Sequence, residues 1–423
     1  MAVNIQAPRG VRDILPADSY KWQYLEKNMR EICRQSGFNE IRTPMFEHTE
    51  LFLRGVGDTT DVVQKEMYTF EDKGGRSITL RPEGTAGAAR AFIEHGLASG
   101  PQPTKMFYLG FSVFRYENPQ AGRLREHHQF GVELFGAKDA SADAEVINLA
   151  LRTLNKLGVN NLSLNINSIG CPNCRPQYNK RLIEYFEGKK DKLCSVCKER
   201  LYKNPLRILD CKEEGCKELS KDAPHMIDCL CPECEEHFSS LKRYLEETGI
   251  KYSINPFIVR GLDYYTKTVF EIISNEIGAQ GTVCGGGRYD GLIKQVGGPA
   301  MPGVGFGMGM ERLLMVMDGA GIEIPKPQGC DLFIAAMGEK ARFYSFGLVK
   351  KLRDNGFYAD MDHCARSLKA QLKYADKIGA KKVAIIGDDE LDSGVLLLKD
   401  MLTDNPEKKQ NQVKIDDILN ELL

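Results

Sequence analysis

KMFYLGFSVFRYENPQAGRLREHHQFGVELF, residues 105–135, is the stretch on which the fold turns. Two runs of strand-forming residues flank a segment punctuated by Asn118-Pro119 and Ala121-Gly122, a pattern that predicts two strands joined by a loop. Side chains alternate across a strand, so Phe130, Val132 and Leu134 share one face of the second run, and Gln129, Gly131 and Glu133 share the other. Arg115 and Glu117 likewise point together at the end of the first run. One face is apolar and suited to a core, while the other collects charged and amide groups. The solvated face of an amphipathic hairpin is the default interpretation. Against it, the small Gly131 between two polar residues leaves room for something to lie on the strand.

Further along, Gly305-Phe306-Gly307-Met308-Gly309 places glycine on one side of a strand and runs into Met310-Glu311-Arg312-Leu313-Leu314, the start of a helix. A strand without side chains on one face lets a planar ligand or a backbone approach closely. Arg312 stands in the first turn, where a cation opposes the helix dipole, so helix stability does not explain it. Tight strand–helix packing with a surface Arg is the bland alternative. Neither the dinucleotide fingerprint nor the phosphate P-loop pattern occurs in the chain. A nucleotide, if bound, is bound by side chains on a sheet.

Helical spacing marks residues 19–37, 145–157 and 310–317, and strand patterns mark LSLNINSIG and FIVRGLDYYTKTVFEII, residues 257–273. GIEIPKPQG, residues 321–329, has two Pro and two Gly and is the best linker. Beyond it DLFIAAM, FYADMD and KKVAIIG alternate with helical stretches, predicting a small α/β domain with a mostly parallel sheet.

The length of 423 residues is about three domains' worth at ~150 residues each. With 42% hydrophobic residues the chain buries a sizeable core, which excludes a disordered scaffold. A net charge of -1 gives no global basic field, so a nucleic-acid partner has to be met by local patches. The absence of a long apolar run and of an apolar leader points to a soluble cytoplasmic protein with no membrane association. Of 13 cysteines, those from Cys171 to Cys234 crowd one block that looks inserted. Cys171-x-x-Cys174 and Cys194-x-x-Cys197 have the spacing of one tetrahedral zinc site, and Cys211, Cys216, Cys229, Cys231 and Cys234 offer a second.

Together these segments resemble the class II aminoacyl-tRNA synthetases: Arg115-x-Glu117 the second motif, GFGMGMERLL the third and FNEIRTPMF the weaker first. Arg81-Pro82-Glu83-Gly84-Thr85, Arg260-Gly261-Leu262-Asp263-Tyr264-Tyr265 and Gly285-Gly286-Gly287-Arg288-Tyr289-Asp290-Gly291 resemble the signatures of histidyl-tRNA synthetase. The resemblance covers essentially the whole chain in the family's order. It implies an α+β fold: a class II catalytic domain on an antiparallel sheet, split into 1–168 and 243–324 by a helical Cys-rich insertion (169–242), with a C-terminal α/β anticodon-binding domain (325–423). It implies a homodimer with the first motif at the interface. The implied activity is ligation of L-histidine to tRNA(His) through a histidyl-adenylate, with ATP and Mg2+ as the substrate complex. Some relatives lack the cysteines, so the resemblance favours reduced structural thiols over structural Zn2+, although spacing alone favours zinc.

On this resemblance Arg260, Arg115 and Arg312 carry catalysis, with Arg260 approaching from the opposite strand. Planar guanidinium forks suit the charge that accumulates on the α-phosphate. Arg312 would hold the γ-phosphate, Glu117 the adenine amino group and Arg123 the phosphate tail, with Arg115 also binding ATP. For histidine, Glu133 would accept from the ring N–H, Tyr264 would pair the other ring nitrogen, and Tyr265 would close the pocket. Glu83, Thr85 and Gln129 would receive the ammonium, with Gly84, Arg115 and Arg260 also lining the site. Gln120, Arg123 and Arg125 would meet the tRNA acceptor end, and Arg366, Lys369, Lys373, Lys377, Lys381 and Lys382 are phosphate-contact candidates. The runner-up is a non-catalytic histidine-binding regulatory subunit of ATP phosphoribosyltransferase, which typically lacks several ATP-binding arginines and the last domain.

Overall fold

A computed structural model describes residues 5–57, 60–119, 124–211, 213–276, 281–403, 405 and 410–422. It divides into two compact units, Met1–Ile324 and Pro325–Leu423. The first unit contains β1 (Asn39–Glu40), β2 (Phe46–His48), β3 (Tyr68–Glu71), β4 (Ser77–Leu80), β5 (Thr104–Phe114) and β6 (Glu126–Phe135). These are followed by β7 (Leu162–Ser168), β8 (Ser253–Ile254), β9 (Thr266–Ser274), β10 (Thr282–Arg288) and β11 (Gly303–Gly309). An eight-stranded sheet runs β1-β5-β6-β11-β10-β9-β7-β8, and a small sheet runs β2-β4-β3. Every interior pair of the large sheet is antiparallel, and only the edge pairs β1–β5 and β7–β8 are parallel.

Phe130, Val132 and Leu134 of β6 and Phe306 and Met308 of β11 face one core. Helix Pro16–Gln35 brings Leu25 and Met29 to it, helix Ser141–Lys156 brings Val146, Ala150 and Leu154, and helix Met310–Gly319 brings Leu313 and Met317. Burying each such side chain is worth roughly 1.5–3 kcal/mol, which fixes the register of β6 and β11. The alternate residues are thereby held on the opposite face.

The sequence pattern extends the strand of β9 too far back. Residues 255–265 make no strand ladder: the side chain of Asn167 on β7 bonds the Pro256 and Ile258 carbonyls, and residues of the insertion bond the segment further along. Arg207 donates to the Arg260 carbonyl at 2.9 Å, Asn204 to Asp263 at 3.2 Å, and Arg175 to the Tyr265 carbonyl. Arg260 therefore reaches the sheet from a loop, not from an opposing strand.

The insertion is helical, with Tyr178, Leu182, Phe186, Leu201 and Ile208 in a core of its own. Its last helix, Pro232–Glu247, is shared: Cys234 lies in that core, whereas Phe238, Leu241 and Leu245 lie in the core under the large sheet. Residue 242, the expected boundary, falls inside it. The cysteines do not group as their chain order suggests. Cys171 and Cys174 meet Cys231 and Cys234, and Cys194 and Cys197 meet Cys211 and Cys216. Cys229 stands outside both groups and accepts from Arg181 at 3.0 Å.

The second unit has β12 (Leu332–Ala336), β13 (Ala359–Met361), β14 (Lys382–Ile386), β15 (Val395–Asp400) and β16 (Gln410–Lys414) in the order β13-β12-β14-β15-β16. The sheet is mixed, not mostly parallel: β13, β12 and β14 are parallel, and β15 and β16 add antiparallel. Only residues 387–394 join β14 to β15, fewer than the dozen or more a parallel crossover needs. No described helix is long and apolar enough to cross a membrane.

Candidate active site

Opposite the core, the large sheet presents a floor stripped of side chains. Tyr108 on β5, Gly131 on β6, Gly307 on β11, Gly285 on β10 and Glu271 on β9 register side by side. In the next row Glu133 pairs with Gly305, and Gly305 with Gly287. A Cβ at Gly131 would overlap the Tyr108 ring, at Gly305 Glu133, at Gly307 Gln129, and at Gly285 Arg260. The glycines are what let these polar side chains lie flat across neighbouring strands. Tyr108 reaches this face by alternation with Met106, and the bulge after it, at Gly110 with φ +61°, puts Phe111 on the same face opposite Gln129.

Glu133 is 1% exposed and surrounded by hydroxyl donors: Thr85 at 2.7 Å, Tyr108 at 3.1 Å, and Tyr289. Burial pushes its carboxyl up to about 8, although the hydroxyls of Tyr289 and Thr85 pull it down. Tyr108 and Tyr289 are absent from the residues picked out by sequence. Tyr289 stood inside the Gly285–Gly291 string as a visible signal, whereas nothing around Tyr108 marks it.

Glu83 begins helix Thr85–Glu94 and accepts from the backbone N–H groups of Thr85 and Ala86, both at 2.7 Å. Burial nevertheless raises its carboxyl above the ordinary range. Tyr264 is brought to Glu83, at 3.5 Å, and not to Glu133. The Tyr264 and Tyr265 rings pack at 4.7 Å and both are buried. Gln129 keeps Oε1 buried without a hydrogen-bond partner, and Arg260 does the same with Nε. A buried acceptor and a buried donor on one floor suit a ligand that carries both an ammonium and an anionic group.

The arginines are positioned by backbone and carboxylates. Arg115, just past β5, donates to the Pro82 carbonyl at 2.9 Å and lies 3.7 Å from Glu66. Arg260 pairs with Glu271 at 2.5 Å. Arg312 donates to the Thr282 carbonyl at 2.9 Å, while its neighbour Glu311 takes the backbone N–H of His128 at 2.9 Å, tying the helix to β6. Arg81 and Arg288 are struts. Arg81 bonds the carbonyls of Thr43, Pro44 and Ser112, and Arg288 forms a fully buried pair with Asp143.

At the base of the loop after β5, Arg125 donates to the Glu117 carbonyl at 3.1 Å and stacks on Tyr116. Gln120 and Arg123 lie outside the described residues. Gly84 sits under Tyr108, which any Cβ there would strike. In the second unit, Lys369, Lys373 and Lys377 are exposed on helix Leu368–Lys377. By contrast Lys381 is tied to Asp331 at 2.7 Å, Lys382 to the Glu421 carbonyl, and Arg366 stacks on Tyr374.

Comparison with known proteins agrees with this arrangement. The model of the histidyl-tRNA synthetase family matches residues 10–313, and that of the anticodon binding domain matches residues 331–423. The chain is 61% identical over 413 residues to a histidine–tRNA ligase of Caldanaerobacter subterraneus subsp. tengcongensis, covering 98% of each. It is 56% identical over 417 residues to that of Acetivibrio thermocellus, covering 99% of each. The crystal structure of apo S. aureus histidyl-tRNA synthetase superposes with a TM-score of 0.83 at 40% identity, covering 99% of both chains. A floor of glycines under Glu133, Gln129 and Arg260, carried on a chain that matches along its length, places the protein in the histidyl-tRNA synthetase family.

Proposed function

We infer that the chain is a histidine–tRNA ligase that activates L-histidine with ATP and transfers it to tRNA(His). The observation that carries this reading is the buried Glu133 carboxylate beside the unpartnered Gln129 Oε1 and Arg260 Nε on the glycine floor. A histidine ring N–H would donate to Glu133. The ammonium would meet Gln129, Glu83 and Thr85, and the carboxylate would lie toward Arg260 and Arg115. A ligand without the imidazole would forgo its bond to Glu133, and with it the contact that favours histidine over other amino acids.

In the first step a histidine carboxylate oxygen attacks the α-phosphorus of Mg2+-bound ATP, and pyrophosphate leaves with the electrons of the broken P–O bond. Negative charge grows on the α-phosphoryl oxygens, and Arg260 and Arg115 are the cations for it. Arg312 takes the γ-phosphate, Glu117 the adenine amino group and Arg123 the phosphate tail. In the second step the tRNA 3′-terminal hydroxyl attacks the histidyl carbonyl and AMP departs. Gln120, Arg123 and Arg125 guide the acceptor end, and the second unit reads the anticodon, with Lys369, Lys373 and Lys377 toward phosphates. The regulatory-subunit alternative leaves Arg115, Arg312 and that unit without a purpose.

On this reading residues 1–168 and 243–324 make the catalytic part, 169–242 the insertion and 325–423 the anticodon reader. The protein acts in the cytoplasm as a homodimer through segment 38–46, where the 50% exposure of Met45 and 57% of Phe46 suit an interface. Histidine-dependent ATP–pyrophosphate exchange, with the other amino acids as controls, tests the function. No exchange, or exchange driven equally by another amino acid, refutes it.

A further inference from the structure

We propose that the insertion holds two structural zinc ions, one on Cys171, Cys174, Cys231 and Cys234 and one on Cys194, Cys197, Cys211 and Cys216. Within each group all four Sγ atoms lie within 4.8 Å of one another. A tetrahedral zinc with bonds of about 2.3 Å sets its sulfurs about 3.8 Å apart. Cys171 stands 3.7 Å from Cys174 and 3.8 Å from Cys231, and Cys194 stands 3.9 Å from Cys211. All eight are free cysteines. Thiols used only as small apolar fillers have no reason to converge in fours with their sulfurs at that spacing.

The surroundings suit thiolates. The backbone N–H of Cys231 points at Cys174 Sγ at 3.1 Å, that of Cys194 at Cys216 Sγ at 3.3 Å, and that of Cys197 at Cys194 Sγ at 3.4 Å. Such donors orient ligand sulfurs and disperse their charge. Each ion would take up four thiolates and release four protons, leaving a net charge of two minus, beside which Arg175 follows Cys174 in sequence. A four-iron cluster interposes iron and sulfide between its ligands and would hold the cysteines further apart than they are.

The first group clasps the two ends of the cysteine-rich segment, and the second pins its middle. Both lie next to the residues that hold the 260–265 loop: Arg175 bonds the Tyr265 carbonyl, and Arg207, four residues before Cys211, bonds the Arg260 carbonyl at 2.9 Å. The zinc sites thus stiffen the struts of the loop that carries Arg260, Tyr264 and Tyr265.

Elemental analysis of the untagged full chain, produced with zinc in the medium and dialysed against a weak chelator, is expected to find two zinc ions per chain. Cys171→Ser with Cys174→Ser should leave one, and adding Cys231→Ser with Cys234→Ser should remove no more, because both pairs share an ion. Cys194→Ser with Cys197→Ser should remove the other. Titration of the wild-type chain with a mercurial needs no variant and should release two zinc ions by the time all 13 thiols are consumed, none of them with the exposed Cys364. Zinc below about 0.2 per chain, iron in its place, or two ions that survive the serine substitutions overturns the proposal. A single ion per chain overturns it for whichever group's serine variant leaves that ion in place.

Discussion

Replacing Glu133 with Gln removes the charge of a buried acceptor and keeps its shape. Burial holds this carboxyl at about 8 without ligand, so its ionised fraction rises from about one in eleven at pH 7 to one half at pH 8. If only the carboxylate receives the histidine ring N–H well, kcat/KM for histidine should climb about fivefold over that unit. A hydrogen bond to a charged group is worth about 1.5–3 kcal/mol, so the Gln variant should lose roughly 10- to 150-fold in kcat/KM for histidine at pH 8. The ratio of wild type to variant should be about fivefold smaller at pH 7, and taking the ratio cancels the titration of free histidine. ATP–pyrophosphate exchange at varied histidine and varied ATP reads all of this. KM for ATP should stay within about twofold, since the substitution touches only the ring acceptor. An equal loss in ATP affinity would make Glu133 a support of the fold or the nucleotide. A fivefold step that persists in the Gln variant would assign the titration to another group.

Arg260→Ala should weaken histidine binding modestly and cut exchange by about 10²–10³-fold or more, since it acts on charge that develops in the transition state; near-normal exchange removes it from catalysis. A chain ending at Ile324, where the first unit ends, should keep histidine-dependent exchange and lose most tRNA charging; undiminished charging would refute the anticodon role of residues 325–423. Asp143 is depressed to about 2: burial raises it, but Arg288 and His237 more than offset that. A depressed folded value means stability present above about pH 4 and lost as pH falls toward 2, about 2 kcal/mol from this group. Asp143→Asn leaves the fully buried Arg288 with Asp290 at 3.2 Å as its remaining carboxylate, so urea unfolding at pH 7 should show a loss of up to about 3–5 kcal/mol; an unchanged midpoint would deny the pair any structural weight.

The two faces of β6 and β11 were readable from alternation alone, because register in a strand with one buried face is set by the apolar residues themselves. So was the polar row of Gln129, Gly131 and Glu133. Two of the donors around Glu133 were not: Tyr108 meets it only through the β5–β6 pairing register, and Tyr289 comes from just past β10, 156 residues along the chain. The loop before β9 misled for a related reason. Its residues have strand-like composition, but Arg175 and Arg207 of the insertion take the Tyr265 and Arg260 carbonyls, and the side chain of Asn167 takes those of Pro256 and Ile258. Cysteine spacing located the cysteine pairs and misassigned their partners, because Cys231 and Cys234 return to Cys171 and Cys174 only after the insertion has folded back. In the second unit, periodicity identified strands and helices but not direction, which the short 387–394 connection decided.

The glycine floor makes the two sides of one sheet unequal in what they can become. Beneath it, Phe130, Val132 and Met308 can be exchanged for other apolar residues if their neighbours shift to share the space. Above it, at Gly131, Gly305, Gly307 and Gly285, the first carbon of any side chain already occupies the place of Tyr108, Glu133, Gln129 or Arg260. No choice of larger residue is gentler than alanine there: at Gly305 its Cβ meets the Val132 carbonyl, and at Gly307 and Gly285 it displaces the heads of Gln129 and Arg260, which costs the site before it costs the fold. Random change should therefore drift freely through the underside of the sheet and meet a wall on the upper side. A library screened at these seven positions would map the site from survivors alone, without any ligand being known.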